Sequence, residues 1–374
     1  MVAALSSSHG IVEAYQRYLR PTLFRLDPEK AHELMYQWTP RFSFLAGQFQ
    51  NALRFEDPSL RTEFAGHTFD NPIGLAAGFD KNARLDVWLD ALGLGFAEIG
   101  SITARAGQGN PLPRLFRLPG DEAVINRLGL NGDGAEVVAA RAAGLKCRTP
   151  YAINIAKSNH PSIVGEAAIA DLLDSFMKVK NLPLTYLAVN ASCPNTHDGI
   201  TRETHELEAA MQEMQLRNER LIPIFLKLSP DSSDSLLESL VDLGRRIKVS
   251  GFICGNTTVT RENLSLSDAE LTAIGKGGLS GRPLKPLAYA LCKKVVKMKD
   301  VHQSVIACGG IASGEDVFQF LQIGVSAIQL YTALIYKGPA VVMEMKIELA
   351  EILRRHGTTV ADVIASSGRQ ALNY

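Results

Sequence analysis

The sequence predicts a (β/α)8 barrel of the TIM type, an α/β fold, with an N-terminal two-helix extension. From residue 70 onward one unit recurs eight times: a short apolar run that ends in polar or glycine residues, followed by a stretch with helical periodicity. Continuous apolar runs are typical of parallel strands buried on both faces. Eight such units favour closure into a barrel. The alternative, a doubly wound open sheet, would need a reversal of strand order.

The eight predicted strands are residues 71–78, 96–103, 151–157, 186–192, 222–229, 251–258, 304–310 and 327–334. The segments between them, such as SLLESLVDLGRRI, have helical periodicity. In this fold the catalytic groups lie at the C-terminal ends of the strands. The residues that the sequence places there are Lys81, Ser101, Asn154, Asn190, Lys227, Asn256 and the Gly309-Gly310 pair.

Residues 1–60 do not fit the repeat and read as two short amphipathic helices, so we divide the chain into this segment and a barrel over 61–374. Asp27 is a plausible N-cap of the second helix, with Pro28 at its first position. The apolar faces consist of Ile11, Tyr15, Tyr18 and Leu19 in the first helix and Ala31, Leu34, Met35 and Trp38 in the second. These faces either pack on the barrel or lie in a membrane interface, where they would also form a pocket for an apolar molecule.

The composition describes a well-packed globular protein: 374 residues, 46% of them hydrophobic and 21% charged. Lys plus Arg equals Asp plus Glu at 39 each, so the overall charge does not point to nucleic acid. The five cysteines are widely spaced without a CxxC pair, which argues against disulfides or a zinc site and for a reducing compartment. Because no apolar run nears the roughly 18 residues that span a bilayer and no secretory signal is visible, we expect neither a membrane span nor secretion.

Two lysines and four asparagines predict a binding site at the barrel rim. Lys81 and Lys227 end different strands, where a buried ammonium is costly unless it meets an anion or polar ligand. An amide side chain both donates and accepts, which suits a ring with alternating C=O and N–H groups. With Asn126, Asn154, Asn190 and Asn256, these residues predict a site for a flat, hydrogen-bonding, anionic ligand.

Glycines near the last strands predict a phosphate site. GGLSG (277–281) lies in the loop after strand six, CGG (308–310) ends strand seven, and Tyr331 and Thr332 lie on strand eight. Barrels of this type often bind phosphate here, because glycine lets backbone N–H groups approach it closely. No GxGxxG fingerprint follows an early strand, so a mononucleotide cofactor is favoured over a dinucleotide.

The motif VNASCPNTHD places Cys193 just after a predicted strand and before a proline, which predicts an exposed, oriented thiol rather than a buried structural one. A thiol of ordinary pKa, about 8.5, is a far better base than a serine hydroxyl. We interpret Cys193 as a proton acceptor.

Taken together, the motifs resemble the dihydroorotate dehydrogenases, in particular their membrane-associated, quinone-reducing class. The matching stretches are DPEKAHEL, NPIGLAAGFDKNA, FAEIGSIT, PRLFRLPGDEAVINRLGLN, VNASCPNT, LKLSPD, NTTVTR, GGLSGRPL and LYTALIYKGP. The resemblance implies oxidation of dihydroorotate to orotate in pyrimidine biosynthesis, with flavin mononucleotide (FMN) as hydride acceptor and a quinone as final acceptor. It also implies peripheral membrane association, on the cytoplasmic face of a bacterial cell membrane or on the mitochondrial inner membrane of a eukaryote.

The resemblance assigns roles to individual residues, with Cys193 as the base. The implied substrate contacts are Lys81, Asn126, Arg127, Leu128, Gly129, Leu130, Asn190, Asn195, Asn256 and Thr257. The implied flavin contacts are Ala77, Gly78, Lys81, Ser101, Asn154, Asn190, Lys227, Gly255, Gly281, Gly310, Tyr331 and Thr332. The implied polar end of a quinone tunnel, formed with the N-terminal helices, is His32, Arg117 and Tyr331.

The chain departs from the class pattern at three places. Cysteine stands where the quinone-linked class carries serine and the soluble fumarate- or NAD-linked classes carry cysteine; His197-Asp198 replace small residues; and Gly255 replaces a threonine. A fumarate-linked enzyme therefore stays open as an alternative, as does a catalytically silent membrane-bound scaffold. NAD reduction would need a partner subunit, since the chain has no iron-sulfur cysteine cluster.

Overall fold

A computed structural model describes residues 9–191 and 204–371, and its centre is a closed barrel of eight parallel strands. The chain forms thirteen strands in the described ranges: β1 Thr62–Phe64, β2 His67–Phe69, β3 Ile73–Leu75, β4 Phe96–Ile102, β5 Leu115–Leu118, β6 Ala123–Asn126, β7 Tyr151–Ile155, β8 Leu187–Asn190, β9 Ile224–Leu228, β10 Gly251–Cys254, β11 Gly278–Gly281, β12 Ser304–Cys308 and β13 Ala327–Leu330. The barrel runs β3, β4, β7, β8, β9, β10, β12, β13 and back to β3, without a reversal of strand order. The predicted TIM barrel is confirmed, and the open-sheet alternative is wrong.

Fourteen α-helices accompany the strands in the described ranges: three precede the first strand, and the others lie between barrel strands or follow the last one. They are α1 Arg20–Phe24, α2 Pro28–Trp38, α3 Ala46–Ala52, α4 Val87–Ala91, α5 Ala135–Ala142, α6 Glu166–Val179, α7 Thr204–Leu216, α8 Asp234–Arg246, α9 Asp268–Ile274, α10 Lys285–Met298, α11 Gly314–Gln322, α12 Thr332–Lys337, α13 Val341–His356 and α14 Val360–Ala371. Helix α8 shows why these segments form. The Ser233 hydroxyl caps its first turn, and Leu237, Leu240 and Val241 are buried at helical spacing.

The N-terminal end of the barrel is closed by aromatic side chains. The antiparallel hairpin of β1 and β2 brings Phe64 and Phe69 into contact with Phe96, and with Tyr186 and Phe225 they form one buried cluster. Apolar packing of this kind leaves no room for a ligand. The functional site must therefore lie at the opposite, C-terminal end of the strands.

A small antiparallel sheet of β5, β6 and β11 lies beside that C-terminal end. The prediction that GGLSG belongs to a loop is wrong, because Gly278–Gly281 forms β11 and pairs with β6. Glycine is required for this pairing: a side chain at Gly281, where φ is +101°, would overlap with the Glu122 carbonyl.

The predicted N-terminal helices are present. The described chain is helical from its first described residue, with a π-helical turn at Tyr15–Leu19 that continues as α1. Helix α2 follows with the predicted cap, in which Asp27 Oδ1 accepts the backbone N–H groups of Glu29 (3.1 Å) and Lys30 (3.0 Å). Among the helices of the described ranges, none is both long and apolar enough to cross a membrane.

Candidate functional site

A cavity opens at the C-terminal end of the barrel. Its empty volume is about 1340 Å³, including the open mouth. The predicted residues that line it are Ala77, Gly78, Lys81, Ser101, Asn126, Leu128, Gly129, Leu130, Asn190, Lys227, Asn256, Thr257, Gly281, Gly310, Tyr331 and Thr332. Residues that are far apart in the chain thus meet in one place, as the barrel fold requires.

The turn after β3 positions Lys81. The buried Asp80 carboxylate accepts the backbone N–H groups of Arg84 (2.9 Å) and Leu85 (3.0 Å), and the Asp80 carbonyl accepts the N–H of Gly100 (3.0 Å). Burial raises the pKa of Asp80 despite these donors. With the turn fixed in this way, the Lys81 ammonium reaches Asn131 Oδ1 at 2.6 Å. Asn131 is a cavity residue that sequence reasoning missed.

A chain of amide hydrogen bonds runs along one wall. Asn190 Nδ2 donates to Ser101 Oγ (3.1 Å), and Asn256 Nδ2 lies 3.3 Å from Asn190 Oδ1. The backbone N–H of Thr257 donates to Asn256 Oδ1 at 2.9 Å. Because each amide is oriented by the next, the wall presents a fixed pattern of donors and acceptors, as recognition of a polar ring requires.

The floor of the cavity leads into a buried polar cluster. Lys227 Nζ lies 3.3 Å from Oε1 of Glu98, a carboxylate that is fully buried inside the barrel. Asn154 and Gln329 also donate to this carboxylate. Their remaining amide oxygens, Asn154 Oδ1 and Gln329 Oε1, are buried and have no hydrogen-bond partner in the described part of the chain. Buried acceptors of this kind are costly, so they favour a ligand that donates hydrogen bonds here.

The glycine-rich end of the cavity has a close-fitting backbone. Gly310 has φ of +70°, and a Cβ built on it would lie 2.6 Å from the backbone nitrogen of Lys285, at the start of α10. Nearby, Thr332 Oγ1 donates to Ser280 Oγ at 3.0 Å. A glycine cradle at the end of barrel strands seven and eight is the arrangement that binds phosphate in this fold.

The predicted quinone residues lie where the N-terminal helices meet the barrel. His32 Nε2 is 3.0 Å from the Phe79 carbonyl, and the Phe79 and Tyr331 rings are 5.4 Å apart. The Arg117 guanidinium lies 4.5 Å from the centre of the Phe24 ring and donates to the Leu26 carbonyl (3.0 Å). Since Tyr331 also lines the cavity, this apolar region adjoins the cavity directly.

Burial governs the protonation of these groups. Burial, with a smaller effect of Lys81, lowers the pKa of His32 to about 4, so the imidazole is neutral at neutral pH. Burial raises the pKa of Tyr331 to about 12 and lowers that of Arg117 from its ordinary value. Neutral His32 and Tyr331 beside aromatic rings suit an uncharged, apolar ligand with polar carbonyl groups.

Several predicted residues do not line the cavity. The Arg127 side chain donates to the Lys276 carbonyl (2.9 Å) and lies 4.7 Å from the Phe116 ring, so it faces the small sheet instead. Asn154 lies in the polar cluster of the barrel interior rather than on the cavity wall. Gly255 is buried with φ of +134°, and any side chain there would overlap with the Cys308 carbonyl. Cys193 and Asn195 lie outside the described residues.

Sequence reasoning also missed Glu98 and Gln329. The signal was present, since Glu98 in FAEIGSIT and Gln329 in AIQLYTAL each stand between two apolar residues of a predicted strand. A buried Lys227 needs a counterion, and such a residue on another barrel strand is where one would be found.

Comparison with known proteins places these observations in a family. A model of the family "Dihydroorotate dehydrogenase" matches residues 59–353. A "Dihydroorotate dehydrogenase (quinone)" from Roseiflexus castenholzii is 40% identical over 91% of this chain and 93% of its own, and one from Gloeobacter violaceus is 38% identical over 91% and 95%. The crystal structure of DHODH from Eimeria tenella in complex with ferulenol has a TM-score of 0.77 at 32% identity, covering 90% of this chain and 95% of that one.

Proposed function

The chain belongs to the dihydroorotate dehydrogenase family, and we propose that it oxidises dihydroorotate to orotate in pyrimidine biosynthesis and passes the electrons to a quinone. The observation that carries this proposal is the single cavity in which Lys81, Lys227 and the chain of amides from Ser101 to Thr257 meet. Two cations and oriented amides complement a flat ring that bears a carboxylate and alternating C=O and N–H groups.

FMN is the cofactor that these residues fit. The glycine cradle of Gly281 and Gly310 would hold its phosphate, while Lys227 and the unpaired oxygen of Gln329, which both line the cavity, would meet a polar ring system, with Asn154 in the polar cluster behind them. When bound, FMN accepts the hydride that dihydroorotate gives up. The further flavin contacts that we propose are Ala77, Gly78, Lys81, Ser101, Asn190, Gly255, Tyr331 and Thr332.

The substrate occupies the wall nearer Lys81 in this proposal. The ammonium of Lys81 pairs with the substrate carboxylate, and Asn126, Asn190, Asn256 and Thr257 hold the ring with the segment from Arg127 to Leu130. For the latter segment the backbone is the relevant part, because the Arg127 side chain faces away. Cys193 takes the proton from the ring carbon next to the site of hydride loss, and Asn195 completes the ring contacts.

The N-terminal segment, residues 1–60, supplies the route for the quinone and the contact with the membrane. Large apolar side chains that are exposed in the described ranges are concentrated here: eight of the sixteen lie within residues 9–52. Phe44 is 71% exposed and Trp38 53% exposed, and the exposed Arg41 lies between them in the chain. Exposed aromatic side chains with a basic residue among them are typical of a segment that lies in the lipid interface.

The alternatives fit less well. A silent scaffold has no use for Lys227 buried at a cavity floor or for unpaired amide oxygens beside it. A fumarate-linked enzyme would share the catalytic cavity but would leave the exposed apolar surface of residues 9–52 without a role.

Two variants test the proposal in anaerobic stopped-flow. The wild-type protein loaded with FMN should lose its flavin absorbance rapidly on mixing with dihydroorotate. Cys193→Ala should retain FMN but slow this reduction by a factor of about 100 or more, as expected for loss of a general base. Cys147→Ala, which removes a half-buried thiol outside the cavity, is the matched control and should reduce at the wild-type rate. Near-normal reduction in Cys193→Ala would contradict the assignment of the base.

A further inference from the structure

The polar cluster below the cavity contains one carboxylate whose role the proposed chemistry does not explain. Glu98 is fully buried, and each of its oxygens accepts two donors. Oε1 is 2.8 Å from Asn154 Nδ2 and 3.3 Å from Lys227 Nζ; Oε2 is 2.9 Å from the Tyr186 hydroxyl and 2.6 Å from Gln329 Nε2. Four donors on two oxygens satisfy an ionised carboxylate fully.

The charges of the cluster are confined to one pair. The amides of Asn154 and Gln329 carry no charge. Tyr186 is neutral as well, because burial and the nearby Glu98 raise its pKa well above the ordinary value. Within residues 9–191 and 204–371, the ion-pair partner of Glu98 is Lys227, which is 4% exposed and lines the cavity. A buried pair of this kind cancels most of the field of either charge, and removing one partner leaves the other uncompensated.

We propose that Glu98 is a positioning residue for the flavin: it anchors the Lys227 ammonium at the cavity floor and offsets the positive charge that the bound FMN would otherwise experience. This inference rests on the proposed binding of FMN. An uncompensated cation beside a flavin stabilises the anionic reduced form. By compensating the charge of Lys227, the carboxylate of Glu98 limits this stabilisation, so the reduced flavin can pass its electrons on.

The neighbouring amide makes a clean test possible. In Glu98→Gln, an NH2 group at the position of Oε2 would face Gln329 Nε2, so that two hydrogen-bond donors would meet. Gln329 can turn its amide by 180° and accept this hydrogen bond with Oε1, the atom that lacks a partner among the described residues. The Tyr186 hydroxyl, which donates to the same Glu98 oxygen and accepts from Gln329 Nε2 (2.9 Å), would then accept from the new amide and donate to Gln329 Oε1. The substitution therefore removes the charge while it keeps the volume and the number of hydrogen bonds.

The experiment measures FMN dissociation constants from apoprotein and two-electron midpoint potentials by spectroelectrochemical titration. Glu98→Gln should bind reduced FMN more tightly than oxidised FMN by a further factor of about 10, which corresponds to a rise of about 30 mV in potential. Tyr186→Phe removes one hydrogen bond from the same carboxylate without changing its charge, and its potential should move less than a third as far. If the carboxylate had only a structural role, the midpoint potentials of the two variants would shift by similar amounts.

Each outcome decides. An unchanged potential in Glu98→Gln with normal FMN binding overturns the inference alone, whereas wild-type apoprotein that takes up no FMN overturns the proposed function and the inference with it. If Glu98→Gln fails to fold, the charge-free double variant Glu98→Gln/Lys227→Met is decisive. Folding of the double variant shows that the uncompensated Lys227 charge prevented folding and supports the inference, whereas its failure means that Glu98 is needed for more than its charge and overturns the inference.

Discussion

At the scale of single residues, the site is a set of polar groups held where apolar strands end. Lys227 shows the rule: it follows three apolar residues in β9, and it is tolerated only because Glu98 on β4 faces it across the barrel. The lysine was predictable from the sequence, because a cation in an apolar strand stands out. Its partner was not, since 129 positions separate them along the chain and only closure of the barrel brings them together.

His32 provides a prediction on pH dependence. Its pKa of about 4 in the folded protein lies below the ordinary value of about 6.5, so the unfolded chain binds the proton more tightly. The stability that the neutral imidazole contributes is complete above pH 6.5 and is lost as the pH falls through 4; at pH 5 the loss is about 2 kcal/mol. In chemical denaturation at pH 7 and pH 5, His32→Gln should lose less stability between the two conditions than the wild type.

The exposed His302 provides the control for that experiment. His302→Gln should show the same pH dependence as the wild type. Equal losses in the wild type and His32→Gln would mean that the imidazole is not held neutral by its surroundings.

At the scale of elements, local signals predicted most of what the structure contains. The cap of α2 by Asp27 and the eight barrel strands follow from residue types and spacing alone. Strand β11 could not be predicted in this way, because the glycine-rich segment Gly278–Gly281 has low strand propensity and forms a strand only by pairing with β6. Longer-range pairing of this kind is what sequence patterns leave undetermined.

The turn between β12 and α11 carries a prediction on cofactor binding. Gly310→Ala introduces a Cβ 2.6 to 2.8 Å from three atoms of Lys285, in a backbone conformation that favours glycine. We expect FMN affinity to fall at least tenfold, measured by fluorescence titration of the apoprotein, because the cradle must shift to accommodate the methyl group.

Gly357→Ala is the matched control. Gly357 ends α13 with a similar φ of +61°, but nothing lies within 4 Å of its Cβ position. This variant should lose about 1 kcal/mol of stability from backbone strain and keep its FMN affinity. If both variants bind FMN like the wild type, the cradle does not hold the phosphate.

At the scale of the whole molecule, the two ends of the barrel have different functions. Phe64, Phe69 and Phe96 close the N-terminal end, while the cavity, the small sheet and the N-terminal helices gather at the other. The sequence predicted this polarity because candidate site residues such as Lys81, Asn190 and Asn256 lie at or just after the C-terminal ends of predicted strands. The sequence left open whether the apolar faces of the N-terminal helices are buried or exposed, since this depends on which face of each helix packs against the barrel. The structure buries Val12 and Tyr36 and exposes Tyr18 and Trp38.

That exposed surface predicts reversible membrane binding. Trp38→Glu/Phe44→Glu should reduce partition onto anionic phospholipid vesicles at least tenfold in a co-sedimentation assay, because charge replaces the side chains that would enter the lipid. Flavin reduction by dihydroorotate should be unaffected. Leu216→Glu/Val301→Glu alters two side chains that are 78% and 85% exposed on helix α7 and before β12, and should leave vesicle binding intact. Equal partition of both double variants would exclude the N-terminal surface as the contact.

The most direct test of the function is the choice of electron acceptor. The FMN-loaded protein is reduced with dihydroorotate under anaerobic conditions and then mixed in a stopped-flow instrument with a soluble quinone or with fumarate. The N-terminal helices and the neutral pocket around His32 and Tyr331 predict rapid reoxidation by the quinone and none on that timescale by fumarate. Rapid reoxidation by fumarate, with the quinone inert, would contradict the account and would mean that the cysteine at position 193 marks a fumarate-linked enzyme.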